Sequence, residues 1–196
     1  MSDFSIYSDG AATVLLAGVG GQGTILAADL LAKTAIANGF DVKLSEVHGM
    51  SQRGGSVTTT VRIGSEVHSM VCEPGSADYI LAFEAVEGLR ALPYLKAGGM
   101  LLVNDEEIRP LPVLTGAAEM PRRTCDRLRV SGGKIIPAYE LAKQAGSPKC
   151  ANVVLLGALS AGMPFPQESW EEQIRLRVPA KTIEMNIEAF RLGREA

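Results

Sequence analysis

Two stretches of this chain hold residue types at spacings that could do chemistry. In the first, Gly18-Val19-Gly20-Gly21-Gln22-Gly23, three glycines stand at G-x-G-x-x-G spacing. They fall between an apolar run, Thr13 to Ala17, and a segment in which Ile25, Ala28, Leu31 and Ala35 recur at helical spacing. Strand, glycine turn and helix in that order are what a pyrophosphate cradle requires. Glycines let the backbone approach a ligand, and a helix N-terminus offers unpaired N–H groups carrying partial positive charge. A tight turn that packs the helix onto the strand explains the same glycines, and Gly21 and Gln22 are not demanded by the fingerprint. In a dinucleotide site an acid about 20 positions further on would hold the ribose, and Glu46 is the candidate.

The second stretch, Ser45 to Gly55, concentrates two potential proton carriers (Glu46 and His48), the polar pair Ser51 and Gln52, the guanidinium of Arg53 and three glycines (Gly49, Gly54, Gly55). Arg53 beside Gly54-Gly55 could clamp a phosphate or carboxylate bidentately, or form a salt bridge to Glu46 or another acid. His48 could move a proton or serve as a hydrogen-bonding loop residue, and His68 is a weaker candidate. No Ser-His-Asp order, H-E-x-x-H, C-x-x-C or G-x-x-x-x-G-K-[ST] occurs. Cys72, Cys125 and Cys150 are too widely spaced for a disulfide framework or for zinc or iron-sulfur ligands, so each reads as a free thiol. No catalytic residue and no metal ligand is assigned. What remains is a phosphate-compatible mouth that positions groups for chemistry done elsewhere.

The elements that must hold this mouth follow from periodicity. Asn38-Gly39 closes the first helix, and Asp41 to Val47 is the next strand, giving a parallel beta-alpha-beta unit. Val57 to Ile63 and Glu66 to Val71, separated by Gly64-Ser65, predict an antiparallel hairpin. Asp78 to Phe83 reads as a buried strand, Glu84 to Leu95 as a helix and Met100 to Asn104 as a strand after Gly98-Gly99. Pro110 to Leu114 and Lys134 to Ala138 read as short strands around a solvated, arginine-rich connection (Arg122, Arg123, Arg127, Arg129). Helical patterns follow at Ala151 to Gly162, Gln167 to Arg175 and Ala180 to Leu192. The expected fold is α/β: an open, mainly parallel Rossmann-like sheet with helices on both faces and an inserted antiparallel hairpin, in a single domain over 1–196. Ligands of such sheets sit beyond the carboxyl ends of the strands, so Gly18 to Gly23, Glu46 to Gly55 and the segment after Phe83 should share one crevice.

Composition narrows the class. The chain is 46% hydrophobic and 21% charged, which excludes disorder as the dominant state. A net charge of -3 offers no basic field for a phosphate polymer, so no nucleic-acid partner is expected. The apolar run Val153 to Met163 is shorter than the roughly 20 residues of a bilayer span, and the N-terminus lacks the basic flank and apolar stretch of a signal peptide. A cytoplasmic location without a membrane partner is expected.

Several separated motifs, in order, carry a family resemblance. Gly18-Val19-Gly20-Gly21-Gln22-Gly23, then Val47-His48-Gly49-Met50-Ser51-Gln52-Arg53-Gly54-Gly55-Ser56-Val57, then Leu81-Ala82-Phe83-Glu84, Gly98-Gly99, Val103-Asn104 and the tail Lys181, Asn186, Ala189-Phe190 and Gly193 resemble the gamma-type subunit or domain of 2-oxoacid:ferredoxin oxidoreductases. His48 to Gln52 is most similar to the indolepyruvate branch, in which the corresponding chain is the beta subunit. The resemblance implies oxidative decarboxylation of a 2-oxoacid, indolepyruvate or another arylpyruvate, with coenzyme A, giving an acyl-CoA, carbon dioxide and reduced ferredoxin. It also implies that thiamine diphosphate, magnesium and iron-sulfur clusters sit on a partner alpha-type subunit, because this chain lacks the Gly-Asp-Gly and Asn-Asn signature of a thiamine site and the cysteine spacing of a cluster.

By the same resemblance, Gly18, Gly20, Gly21, Gln22 and Gly23 line the coenzyme A side or the subunit contact. His48 to Gly55 then face the thiamine-bearing partner, coenzyme A is the one cofactor this chain would touch, and the isolated chain would be inactive. Ferredoxin is the acceptor of the complex, and apolar surface left bare on the lone subunit would favour a homodimer. Two other readings stand beside it: a stand-alone NAD- or FAD-binding protein using Gly18 to Gly23 and Glu46, and a regulatory module of the same fold.

Overall fold

The structure, a computed structural model, describes residues 10–49 and 54–196. β1 (Ala11–Val19) and β4 (Ala77–Ala82) are buried along their whole length, the signature of strands covered on both faces. With β2 (Asp41–His48), β3 (Ser56–Gly64), β5 (Leu95–Asn104) and β6 (Lys134–Ile136) they form a six-stranded sheet in the order β2-β3-β1-β4-β5-β6. β1, β4, β5 and β6 pair in parallel, and β3 runs antiparallel to both of its neighbours. β2 therefore runs with β1, and α1 (Thr24–Ala37) is the crossover between them.

Strand alternation sorts the side chains into two cores. Val14, Leu16, Tyr79, Leu81 and Leu102 face one layer. It contains α1, α5 (Ala138–Gln144), α6 (Ala151–Ser160), α7 (Gln167–Arg177) and α8 (Ile183–Glu195). Leu15, Ala17, Ile80, Ala82 and Val103 face a thinner layer made of α2 (Ala85–Ala91) and α4 (Thr124–Val130). The mainly parallel sheet with helices on both faces and an antiparallel element agrees with the sequence expectation. No helix among the described residues is long and apolar enough to cross a membrane.

Four local expectations are corrected. Glu66 to Val71 is not a strand, and the antiparallel hairpin is instead β2–β3. Both edges of β3 are already occupied, by β2 and β1, so a following strand has no backbone to pair with. Its Val67 amide instead donates to Asp41 Oδ2 at 2.9 Å. Pro110 to Leu114 contains one helical turn, α3 (Leu111–Leu114), opened by prolines that cannot donate to a ladder. The arginine-rich connection is solvated but helical: Thr124 and Leu128, four apart, are the buried residues of α4. Ala138 to Gln144, where only the end of a strand was expected, is α5, with Ala138 and Ala142 packed beneath the sheet.

Candidate binding site

β1 delivers the glycine turn to the carboxyl end of the sheet, and its glycines do different jobs. Gly18 lies inside buried β1, where a Cβ would sit 2.9 Å from both Gln22 Oε1 and Phe83 Cβ, so packing forbids a side chain there. Gly20 prolongs the β1/β3 ladder: its amide donates to Gly55 O at 2.9 Å, and the Gly54 amide donates to Gly20 O at 3.2 Å. Gly21 (φ 106°) and Gly23 (φ 79°) occupy the left-handed region that L side chains rarely adopt. A Cβ on Gly23 would fall on Asn152 Nδ2, whereas one on Gly21 would meet nothing, so Gly21 is where the turn faces open space.

Gln22 turns inward. Its Oε1 accepts from the Val19 amide at 2.9 Å and its Nε2 donates to Phe83 O at 3.1 Å, closing the turn over the end of β4. The side chain thus staples the loop. Asn152, at the start of α6, donates to Gly23 O at 3.3 Å and pins the entry to α1 from the far side of the chain.

A cavity of about 460 Å³ opens between this turn and the ends of β2 and β3. Gly20, Gly21 and Gly23 form one side, Thr24 and Ile25 of α1 the floor, and Glu46, His48 and Val57 the other side. Opposite residues of an antiparallel pair point to the same face, and Glu46 lies opposite Thr59 and His48 opposite Val57, which brings both toward the α1 side. His48 is exposed, its Nδ1 3.0 Å from Gly49 O. The structure therefore brings together the glycine turn, Glu46, His48, Gly54 and Gly55. Met50, Ser51, Gln52 and Arg53 lie outside the described residues.

A second cavity, about 210 Å³, lies across the glycine turn and shares Gly21 with the first. Gln22, Asn104, Glu106, Lys149 and Asn152 bring its polar groups. Asn104, buried at the end of β5, donates to Phe83 O at 3.1 Å and accepts from the Ala138 amide at 3.3 Å. Sequence reasoning did not assign Asn104, Glu106, Lys149 or Asn152 to the site. A buried amide ending the apolar run Met100 to Val103 was a usable signal for Asn104, whereas nothing local marks Asn152.

Glu84 caps α2, accepting from the Val86 amide at 3.0 Å, the Glu87 amide and the Ile108 amide at 3.4 Å. Burial pushes its carboxyl above the ordinary glutamate range despite these bonds. Next to it, Glu87 accepts from Ser56 Oγ at 2.6 Å and pairs with Arg90, tying the start of β3 to α2. Both carboxylates are committed to structure. Among the described residues no group of three or more His, Cys, Asp or Glu is arranged to hold a metal ion, and Cys72, in the loop between β3 and β4, Cys125, in α4, and Cys150, just before α6, are free thiols.

A strand-end glycine turn with flanking clefts and, among the described residues, no assembled nucleophile and base is a placement device. Comparison with known proteins says which. Residues 13–196 match the family described as pyruvate ferredoxin/flavodoxin oxidoreductase. The chain belongs to that family. It is 45% identical over 192 residues to indolepyruvate oxidoreductase subunit IorB of Thermococcus kodakarensis, covering 93% of this chain and 94% of the relative. It is 31% identical to 2-oxoglutarate synthase subunit KorC of Methanothermobacter marburgensis, covering 93% and 94%. The crystal structure of a keto/oxoacid ferredoxin oxidoreductase gamma subunit from Geobacter sulfurreducens superposes with a TM-score of 0.70 at 27% identity, covering 94% of this chain and 96% of that one. By sequence and fold this family member corresponds to a subunit of a 2-oxoacid:ferredoxin oxidoreductase.

Proposed function

We propose that the chain, as a single gamma-type unit over 1–196, is a non-autonomous, cytoplasmic subunit of an indolepyruvate-type 2-oxoacid:ferredoxin oxidoreductase, and that its glycine-turn mouth receives coenzyme A at the contact with a thiamine-bearing partner. The observation that carries this is the paired clefts around Gly21, a bare left-handed backbone position just before a helix N-terminus, with Glu46 and His48 across from it and, among the described residues, no reactive set beside it. Such a mouth suits a pyrophosphate or thioester arm: the α1 N-terminus offers its amides and Gly21 leaves the approach clear. Gly18, Gly20, Gln22 and Gly23 shape the turn, Glu46, His48, Gly54 and Gly55 face it, and Ser51, Gln52 and Arg53, which lie outside the described residues, are proposed as further contacts of the same ligand.

Thiamine diphosphate, magnesium and the iron-sulfur clusters belong to the partner, which breaks the carbon–carbon bond and passes the electrons to ferredoxin. Among the described residues no group of three or more His, Cys, Asp or Glu could hold a metal ion, and the three thiols lie apart, Cys72 in the loop between β3 and β4, Cys125 in α4 and Cys150 just before α6, which does not fit a cluster. This chain's part is to hold the thiol-bearing substrate, orient it and exclude water at the subunit boundary. The indolepyruvate assignment is supported by 45% identity to an indolepyruvate subunit against 31% to a 2-oxoglutarate one.

The stand-alone dinucleotide reading is weakened by the sheet order. β3 separates β2 from β1, so Glu46 stands one strand, about 4.8 Å, further from the glycine turn than when β2 lies beside β1. Thermal denaturation with each ligand tests the choice. Coenzyme A at about 100 times its Kd should add about 2.7 kcal/mol, and NAD and FAD should add nothing. Stabilisation by NAD alone would overturn the proposal. Carbon dioxide release from the pure chain supplied with thiamine diphosphate and magnesium would also overturn it.

A further inference from the structure

Thr24, the first residue of α1, is 4% exposed and lines the larger cleft of the mouth. Its methyl packs inward, since a Cβ built on Gly18 would stand 3.0 Å from Thr24 Cγ2. Its hydroxyl makes no hydrogen bond among the described residues. Thr34, further along the same helix and as deeply buried, donates to Leu30 O at 2.8 Å. Thr24 stands ahead of every carbonyl of the helix and has no such acceptor, so its hydroxyl meets only what enters the cleft, solvent or ligand.

The same turn holds further donors. α1 is 14 residues long, its N-cap is Gly23, no side chain caps it and no acid stands in its first turn. The Ala27 amide makes the first helical bond, to Gly23 O at 3.1 Å, which leaves the Thr24, Ile25 and Leu26 amides without an intrahelical acceptor. Those N–H groups and the helix dipole favour negative charge, and the oxygens of a diphosphate can accept from several donors at once. Across the cleft the polarity reverses. Glu46 is on β2, with β3 between it and β1, so it stands two strand spacings, roughly 10 Å, from the glycine turn. A carboxylate there repels phosphate and accepts from hydroxyl and amide N–H groups. The cleft thus has donors at α1 and an acceptor at β2, and bare Gly21 leaves the approach open.

We infer that the first turn of α1, with Thr24 Oγ1 as its side-chain donor, is a diphosphate subsite that sets the direction in which coenzyme A lies in the mouth. The diphosphate sits on α1 and the hydroxyl- and amide-bearing arm runs toward Glu46. The inference rests on the function proposed above and adds which part of the ligand this chain holds and the side chain that holds it. ADP offers the same diphosphate without the arm, and pantetheine the arm without the diphosphate.

The test is calorimetric titration of the full chain, and of its complex with the thiamine-bearing partner, with coenzyme A, ADP, inorganic pyrophosphate and pantetheine. Pyrophosphate and ADP should compete with coenzyme A. Thr24→Val, which removes the hydroxyl and keeps the branched shape, should weaken all three about tenfold and leave pantetheine unchanged, and Thr24→Ser should restore the affinity. In the reconstituted complex Thr24→Val should raise the KM for coenzyme A at unchanged kcat, a split that general damage to the fold does not produce. Equal affinity of wild type and Thr24→Val for pyrophosphate would overturn the subsite. Should Thr24→Val not fold, competition in the wild type decides: coenzyme A displaced by pantetheine and not by pyrophosphate would overturn the inference and leave the proposed function standing. Binding of ADP at this turn without binding of coenzyme A would keep the subsite, make a free nucleotide its ligand and overturn the function proposed above. Silence from all four ligands in both chain and complex would overturn both.

Discussion

Gln22 and Asn104, on different strand ends, donate to the same carbonyl: each side-chain amide lies 3.1 Å from Phe83 O and 3.5 Å from Glu106 Oε2. This convergence joins the exits of β1, β4 and β5 into one rigid rim and fixes the glycine turn between two clefts. It also places Glu106 within reach of both amides without burying its charge. Asn104→Ala should therefore cost more than loss of one surface contact, because the Ala138 amide also loses its acceptor. A drop of about 1–3 kcal/mol in denaturant unfolding is expected, with Gln22→Ala milder. Equal, negligible costs for both substitutions would show that the rim does not hold the turn.

Gly23 combines a left-handed backbone with contact to Asn152. Gly23→Ala should destabilise by about 1–3 kcal/mol through strain and overlap together. In Gly23→Ala/Asn152→Ala the overlap is gone and the backbone strain remains, so the double variant should recover part of the loss relative to strict addition. A double-mutant cycle measures the coupling directly, and additive costs would separate the two residues energetically.

Glu171 gives a pH prediction. It is buried in α7, where Arg191 binds it at 2.8 and 3.0 Å, Gln167 at 2.9 Å and Arg175 lies at 3.5 Å. The Arg191 hydrogen bonds lead in holding its carboxyl below the ordinary glutamate value of 4.5. A carboxyl with a depressed folded-state pKa contributes stability that is present above 4.5 and is lost as the pH falls through the folded value. Glu171→Ala should lower stability by about 2 kcal/mol at neutral pH and flatten the acid limb of the stability curve below 4.5. An unchanged acid limb would show that the pair does not outweigh its desolvation.

Glu84 should behave with the opposite sign. Because burial raises its carboxyl, its own titration favours the folded state below its ordinary value of 4.5 and loses that advantage as the pH rises through the folded value. Glu84→Ala should still destabilise at neutral pH by about 1 kcal/mol, because α2 and Ile108 lose their hydrogen-bond acceptor. Thermal melts of both proteins across acidic and neutral pH check the direction.

Arg53, proposed to face the partner, should be dispensable for folding. Arg53→Ala is expected to keep the melting temperature and lower thioester formation in the reconstituted complex by about tenfold or more. Unchanged turnover would remove Arg53 from the site.

Much of the site was legible because its signals are local. A glycine-spaced turn between an apolar run and a helical pattern specifies strand, turn and helix wherever it occurs, and β1 and α1 follow it. The strand-end location of Glu46 and His48 followed in the same way from the apolar alternation of Asp41 to Val47. By contrast, the hairpin after Gly64 was misplaced because strand propensity at Glu66 to Val71 says nothing about whether an edge is free. The helices α4 and α5 were missed because seven residues carry too few apolar positions to outweigh the arginines and prolines around them.

By itself, then, the amino-acid order determined the element types along most of the chain, the family to which it belongs and the candidate mouth, since hydrophobic period, turn chemistry and motif spacing act over a few residues at a time. Only the tertiary structure decided that β3 would insert between β1 and β2, that Gln22 would turn inward and that Asn152, 129 positions away, would pin Gly23. Those outcomes depend on which edges and carbonyls remain unpaired once the sheet closes. That competition among distant groups is settled by packing and hydrogen-bond satisfaction across the whole molecule, and no local pattern records it.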